Sequence, residues 1–237
     1  MPHAPLLLAD VAGPRADVAL ERVRAASREV AHCLDGILVV VSPHSRGTGV
    51  YTSTRGGLHA FGVPRADATY AVDRGVSARV ASGWGRPTLD EPVDHGVVVP
   101  LELLGWTGSV VAIGFAEDEP DIPEAARSLS RALAELPEWS AMSVVASVNG
   151  GAGVIPRGPL TELPRGRSLE EELAAALEGD VASLTSLAPQ LASDAGSCSL
   201  GPLLVFAHLF AGATVRLLAH EWPYGVGYPV AAVERSP

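Results

Sequence analysis

Short unbroken apolar runs alternate along this chain with longer stretches in which aliphatic and charged residues recur three and four apart. The runs predict strands over Gly36–Ser42, Ser109–Phe115, Met142–Val148 and Val215–Ala219, with Tyr228–Val233 after them. An aliphatic run without polar alternation suits a strand buried on both faces of a sheet. Pro43 cannot donate to a ladder, so the first strand is expected to stop there. Helical spacing marks Asp17–Cys33 and Pro123–Glu135, the second with a proline near its start. Ser168-Leu-Glu-Glu is a capping-box pattern opening a helix through Leu177, and Gly179 can close it. Within it, Glu170-Glu171-Glu172 reads as a solvated first turn. Leu200–Ala213 is apolar nearly all round and predicts a buried helix.

Strands alternating with helices predict an α/β sandwich with much parallel pairing. No internal repeat or low-complexity linker divides the 237 residues, so a single domain over 1–237 is expected. Tyr51–Arg74 and Gly75–Val99 are rich in glycine and proline and long for connections. They predict site-forming loops or a small extra sheet.

Composition narrows the chemistry. The formal net charge is −10, and all 17 basic residues are arginine. An acidic chain without a basic cluster argues against nucleic acid or an anionic membrane as partner. Without lysine, neither Schiff-base catalysis nor a P-loop is available. No apolar stretch has the roughly 20 residues needed to span a bilayer, and no signal-peptide pattern opens the chain. Cys33 and Cys198 are too isolated for a disulfide framework or zinc knuckle, so two reduced thiols in a cytoplasmic protein are expected. A Gly-x-Ser-x-Gly nucleophile elbow is absent, and Gly150-Gly151-Ala152-Gly153 has the wrong spacing for a dinucleotide fingerprint.

Three of the seven histidines stand at segment ends beside proline or glycine: His3 in Pro2-His3-Ala4-Pro5, His44 in Ser42-Pro43-His44-Ser45, and His95 in Asp94-His95-Gly96. Rigid backbone at strand ends is where open α/β sheets build their sites. Two neutral imidazoles need a third donor, preferably anionic, to form a facial metal site with open positions. Glu221 in Leu218-Ala219-His220-Glu221-Trp222-Pro223 is the best candidate. Strand alternation puts His220 and Glu221 on opposite faces, so only one of them can easily reach such a site.

These segments, in this order, resemble the class III extradiol dioxygenases, the superfamily of the protocatechuate 4,5-dioxygenase β subunit. The resemblance rests on Pro2-His3-Ala4-Pro5, Pro43-His44 after a hydrophobic strand, and Asp94-His95-Gly96 running into Val99-Pro100-Leu101. Phe61-Gly62-Val63-Pro64 and Pro223-Tyr-Gly-Val-Gly-Tyr look like a bacterial subgroup of it. The resemblance implies a three-layer sandwich with a central mixed, largely parallel sheet flanked by helices. It implies Fe(II) on His3, His44 and Glu221, with Zn(II) or Mn(II) as alternatives, and His95 as a catalytic residue toward a substrate oxygen. The expected partners are a catechol-like or other chelating small molecule and dioxygen; a homo-oligomer is compatible. Two features depart from the family. Relatives place a strand before their first Pro-His, where only Met1 and Pro2 stand here. Many also carry Gly-Asp-x-Ser-His, with its acid/base histidine, where this chain has Asn149-Gly150-Gly151-Ala152-Gly153. His59, His208 or His220 is then left to substitute, although His208 falls in the helix expected to be buried. The departure keeps two other readings open: hydrolytic or Lewis-acid chemistry at the metal, and a non-catalytic, Memo-like interaction protein.

Overall fold

The computed structural model describes residues 1–12, 18–58, 68–156 and 158–233. Its helices are α1 (Ala9–Ala12), α2 (Val18–Ala31), α3 (Arg74–Trp84), α4 (His95–Leu104), α5 (Ile122–Ala134), α6 (Gly166–Glu178), α7 (Leu184–Ala195) and α8 (Leu200–Leu209). The strands are β1 (Ile37–Ser45), β2 (Gly49–Tyr51), β3 (Arg55–Gly56), β4 (Ala68–Thr69), β5 (Ala71–Val72), β6 (Thr88–Leu89), β7 (Ser109–Ala116), β8 (Met142–Ala146), β9 (Val215–Glu221) and β10 (Tyr228–Val233).

The central sheet has the order β6-β2-β7-β1-β8, with β5 also pairing β7. Every pair in it is parallel except β2 with β7. The expected mixed, largely parallel sheet is therefore present. Successive side chains of a strand point to opposite faces, and β1 divides accordingly. Val39 and Val41 face one core with α3, α5, α6, α7 and α8, whereas Leu38 and Val40 face a second core with α2 and α4. All four are fully buried. Each such aliphatic side chain contributes about 1.5–3 kcal/mol relative to exposure, and this double burial is why the run shows no polar alternation.

β9 and β10 form a separate antiparallel ribbon, and β3 pairs with β4 as a small extra sheet. A cleft of about 1080 Å³ runs between β8 and β10 and is lined by Met1, Val144, Phe206 and Ala231 among others. Met1 lies at the upper end of β8. Its amino group donates to the Ala146 carbonyl (3.0 Å) and its carbonyl accepts from Val148 N–H (2.7 Å), so the chain's first residue pairs parallel to that strand.

Several local expectations are corrected. β1 does not stop at Pro43 but runs to Ser45, with a register shift between Ser42 and Ser45 that absorbs the missing donor. Gly75–Val99 is no simple loop. Asp73 caps α3 by accepting from Val76 N–H, apolar Val76, Val80 and Trp84 are buried beneath it, and Gly85 (φ 70°) ends it. α6 starts at Gly166, ahead of the proposed box, and Ser168 Oγ donates to the Arg165 carbonyl instead of capping. Glu170 is not solvated but completely buried. The apolar helix ends at Leu209, and His208 is only partly buried. Phe61–Pro64 and His59 lie outside the described residues. Among the described residues, no helix is long and apolar enough to cross a membrane, and both cysteines are free thiols.

Candidate metal centre

Three separated pieces of sequence converge at the carboxyl end of β1. His3 is completely buried and is held by its own backbone: its N–H donates to Asn149 Oδ1 at 3.1 Å. With Met1 paired to β8, this fixes a residue only three positions from the amino terminus. His44 projects from β1 within the register shift between Ser42 and Ser45, with its N–H directed at Ser42 Oγ (3.3 Å).

His95 is the first residue of α4, not the end of a strand. Asp94 caps that helix by accepting from Gly96 N–H (2.6 Å), and also accepts from Ser42 Oγ (2.6 Å) and Tyr51 Oη (2.7 Å). One carboxylate thereby ties the helix start to β1 and β2. The glycine after His95 has a steric reason, because a Cβ there would collide with Ser42 Oγ. Burial and the Asp94 charge push the Tyr51 phenol upward, so it remains a protonated donor.

His3, His44 and His95 each offer a ring nitrogen, and the three atoms lie within 4.8 Å of one another. His44 and His95 are stacked with centroids 4.2 Å apart, and His3 meets both edge-on. The Nε2 atoms of His3 and His44 are 3.0 Å apart. Burial holds His3 well below its ordinary pKa, with repulsion from His44 and His95 adding to it. Burial, then His44, lowers His95 to about 4, with Asp94 opposing. At neutral pH these two rings are therefore neutral, the form in which imidazole binds a metal. The exposed Glu117 approaches the far nitrogen of His44 (Nδ1 to Oε1, 3.5 Å), where a carboxylate orients a ligating imidazole.

Glu221 is not brought to this group. Its Oε1 pairs with Arg22 Nη1 of α2 at 3.0 Å. His220 faces the other way, as strand alternation requires, with Nε2 2.6 Å from Glu170 Oε2. Glu170 also accepts from Gly151 N–H. Cβ atoms at Gly150 or Gly227 would run into its carboxylate, so these glycines are explained by packing. His220 is thus committed to a buried carboxylate. His208 lies at the end of α8, its pKa lowered by burial and by Arg127.

Two participants escaped the sequence reading. Asn149, just after β8, anchors His3 by accepting its N–H. Cys198 lies between α7 and α8 with Sγ 3.5 Å from His3 Nε2. Burial raises its thiol pKa, with Ser199 acting in the opposite sense. The only local signal was its place in Ser197-Cys198-Ser199, immediately before an apolar helix.

No family model and no curated protein matches this chain. Its fold is similar to the crystal structure of an uncharacterized protein, JW3007, from Escherichia coli K12. The two share 18% identity with a TM-score of 0.59 over 88% of this chain and 90% of that one. At that identity the likeness establishes the fold alone.

Proposed function

We propose that His3, His44 and His95 hold one divalent metal ion, and that the protein is a metal-dependent enzyme of the class III extradiol type. Its substrate in this reading is a catechol-like or other chelating small molecule, used with dioxygen. The observation that carries it is the convergence of three imidazole nitrogens within 4.8 Å from three separately anchored segments. Three imidazoles on one side of an ion leave positions open for substrate. His95 takes the third place instead of Glu221, whose carboxylate is engaged by Arg22.

When bound, the ion supplies a Lewis-acidic centre at which a chelating substrate and dioxygen can meet; the sequence resemblance favours Fe(II), and imidazole donors also suit Zn(II). This chain's own residues position the donors. Asp94 fixes the start of α4 and so the ring of His95, Asn149 holds His3, and Glu117 stands behind His44.

A second reading keeps the metal and changes the chemistry to hydrolysis or Lewis-acid catalysis. It is favoured by Asn149, a side chain that cannot exchange a proton, standing in the segment where relatives supply an acid/base histidine. Such help is worth about 10²–10⁴ in rate. A Memo-like, non-catalytic role would leave the same site without turnover.

The test is elemental analysis of protein purified anaerobically and reconstituted with Fe(II), together with oxygen uptake over a catechol panel. About one metal ion per chain, lost in His44→Ala and retained in Glu221→Ala, is expected. Wild-type protein that binds no metal would overturn the proposal. Metal without oxygen uptake would leave the site and move the function to the second reading.

A further inference from the structure

We infer that Cys198 is a fourth donor to the ion, so that the site is a histidine–thiolate centre selective for a thiophilic metal, zinc above iron(II). This rests on the metal-site reading given above and deepens it, favouring the hydrolytic or Lewis-acid chemistry over the use of dioxygen.

The first ground is distance. Cys198 Sγ is 3.5 Å from His3 Nε2, the same nitrogen that lies 3.0 Å from His44 Nε2. A tetrahedral ion with metal–nitrogen bonds of about 2.0–2.1 Å and a metal–sulfur bond of about 2.3 Å holds its nitrogen and sulfur donors roughly 3.6 Å apart. Toward His3, the sulfur already stands at that edge length.

The second ground is shared anchoring. Ser197 Oγ donates to the Asn149 carbonyl (2.9 Å), and Ser199 Oγ accepts from Asn149 N–H (2.9 Å). Ser199 N–H closes back onto Ser197 Oγ at 3.2 Å. Cys198 is thus flanked by two residues bound to Asn149, while the Asn149 side chain holds the backbone of His3. Sulfur and imidazole are positioned from one residue, although they lie 195 positions apart in sequence.

The third ground is charge. Three neutral imidazoles bring no charge of their own to a divalent ion in a largely buried site. The neighbouring Asp94 carboxylate is already engaged by Ser42, Tyr51 and Gly96, and a buried charge left short of compensation is costly. Glu221 is paired with Arg22, and the 77%-exposed Glu117 faces the outer nitrogen of His44. A Cys198 thiolate beside His3 would supply one negative charge, and soft thiolate donors favour zinc and copper over hard ions.

Cobalt(II) is the probe, because it substitutes for zinc and reports its ligands by colour. Full-length wild-type protein titrated with cobalt(II) is expected to develop ligand-field bands together with a thiolate-to-cobalt charge-transfer band in the near ultraviolet. Cys198→Ser should lose the charge-transfer band and bind cobalt more weakly. The loss should reach at least the roughly 10–100-fold that substitutions outside the ligand shell cost. Zinc should displace the bound cobalt, and Fe(II) should not. Ligand-field bands without the charge-transfer band in wild type would overturn the assignment of Cys198 while leaving the histidine site standing. No cobalt bound by folded wild type would overturn both. The wild-type spectrum decides the matter even where Cys198→Ser, or Cys198→Ala beside it, fails to fold.

Discussion

Asn149 accepts the backbone N–H of His3 through its side-chain oxygen, at 3.1 Å, and so places an imidazole three residues from the amino terminus with the certainty of a core position. Asn149→Ala removes that acceptor and leaves a buried N–H unsatisfied, a cost of about 1–3 kcal/mol. Metal affinity should fall with it, whereas Asn149→Asp, which keeps an acceptor, should retain most of the affinity. Isothermal titration of both variants with zinc or cobalt checks this; equal affinity in Asn149→Ala and wild type would show that His3 needs no such anchor.

Asp94 accepts three hydrogen bonds that join α4 to β1 and β2. Asp94→Ala loses a helix cap, about 0.5–2 kcal/mol, and strands two partly buried hydroxyl donors besides. We expect a stability loss of roughly 2–4 kcal/mol in urea and a weaker metal site. A variant with unchanged stability would mean that water replaces all three bonds.

Acid should act on the metal-free protein through the buried rings. His95 is lowered to about 4 and His3 is lowered as well, so both are neutral in the folded chain while their unfolded counterparts take up protons near 6.5. Between these values the unfolded state binds more protons, so stability rises with pH. It is fully present above about 6.5 and is lost as pH falls toward 4. For His95 alone the span is on the order of 2–3 kcal/mol. Urea midpoints from pH 7 down to pH 4, compared with His95→Gln, measure it. The variant should show a shallower slope.

Glu170 and Glu221 look alike in the sequence and should behave differently. Glu170 is completely buried and engages His220 and Gly151. Glu170→Ala should cost about 3–5 kcal/mol, the usual penalty for stranding one partner of a buried pair. Glu221 pairs with an arginine that is 68% exposed, so Glu221→Ala should cost under about 1 kcal/mol. Thermal melts of the two variants side by side test the contrast.

Glu170 also marks where local reading fails. Its neighbours in sequence are charged and helical, so it read as solvated, and its burial comes from the ribbon and the glycine run, which are distant in sequence. Cys198 was illegible for the same reason, since its partner belongs to the amino terminus. A carboxylate at a strand end suggests a ligand, which is what points to Glu221 in the sequence. Alternation separates it from His220 but does not say which helix each face meets. By contrast, Leu38 to Val41 announced a strand buried on both faces, since only a sheet with two cores makes that run favourable. The three histidines are legible as a set because each stands beside a proline or glycine, although β1 runs past Pro43 and His44 to Ser45 and only His95 starts an element.

The histidine group is drawn from the amino terminus, β1 and α4, and no two of its members are near in sequence. An ion bound there would act as a staple across chain positions 3, 44 and 95, present only once the fold has closed. Ligand that binds the folded chain alone stabilises it by RT ln(1 + [L]/Kd), about 2.7 kcal/mol at a hundredfold excess over Kd. The folded lifetime of this protein would then follow the free metal concentration around it.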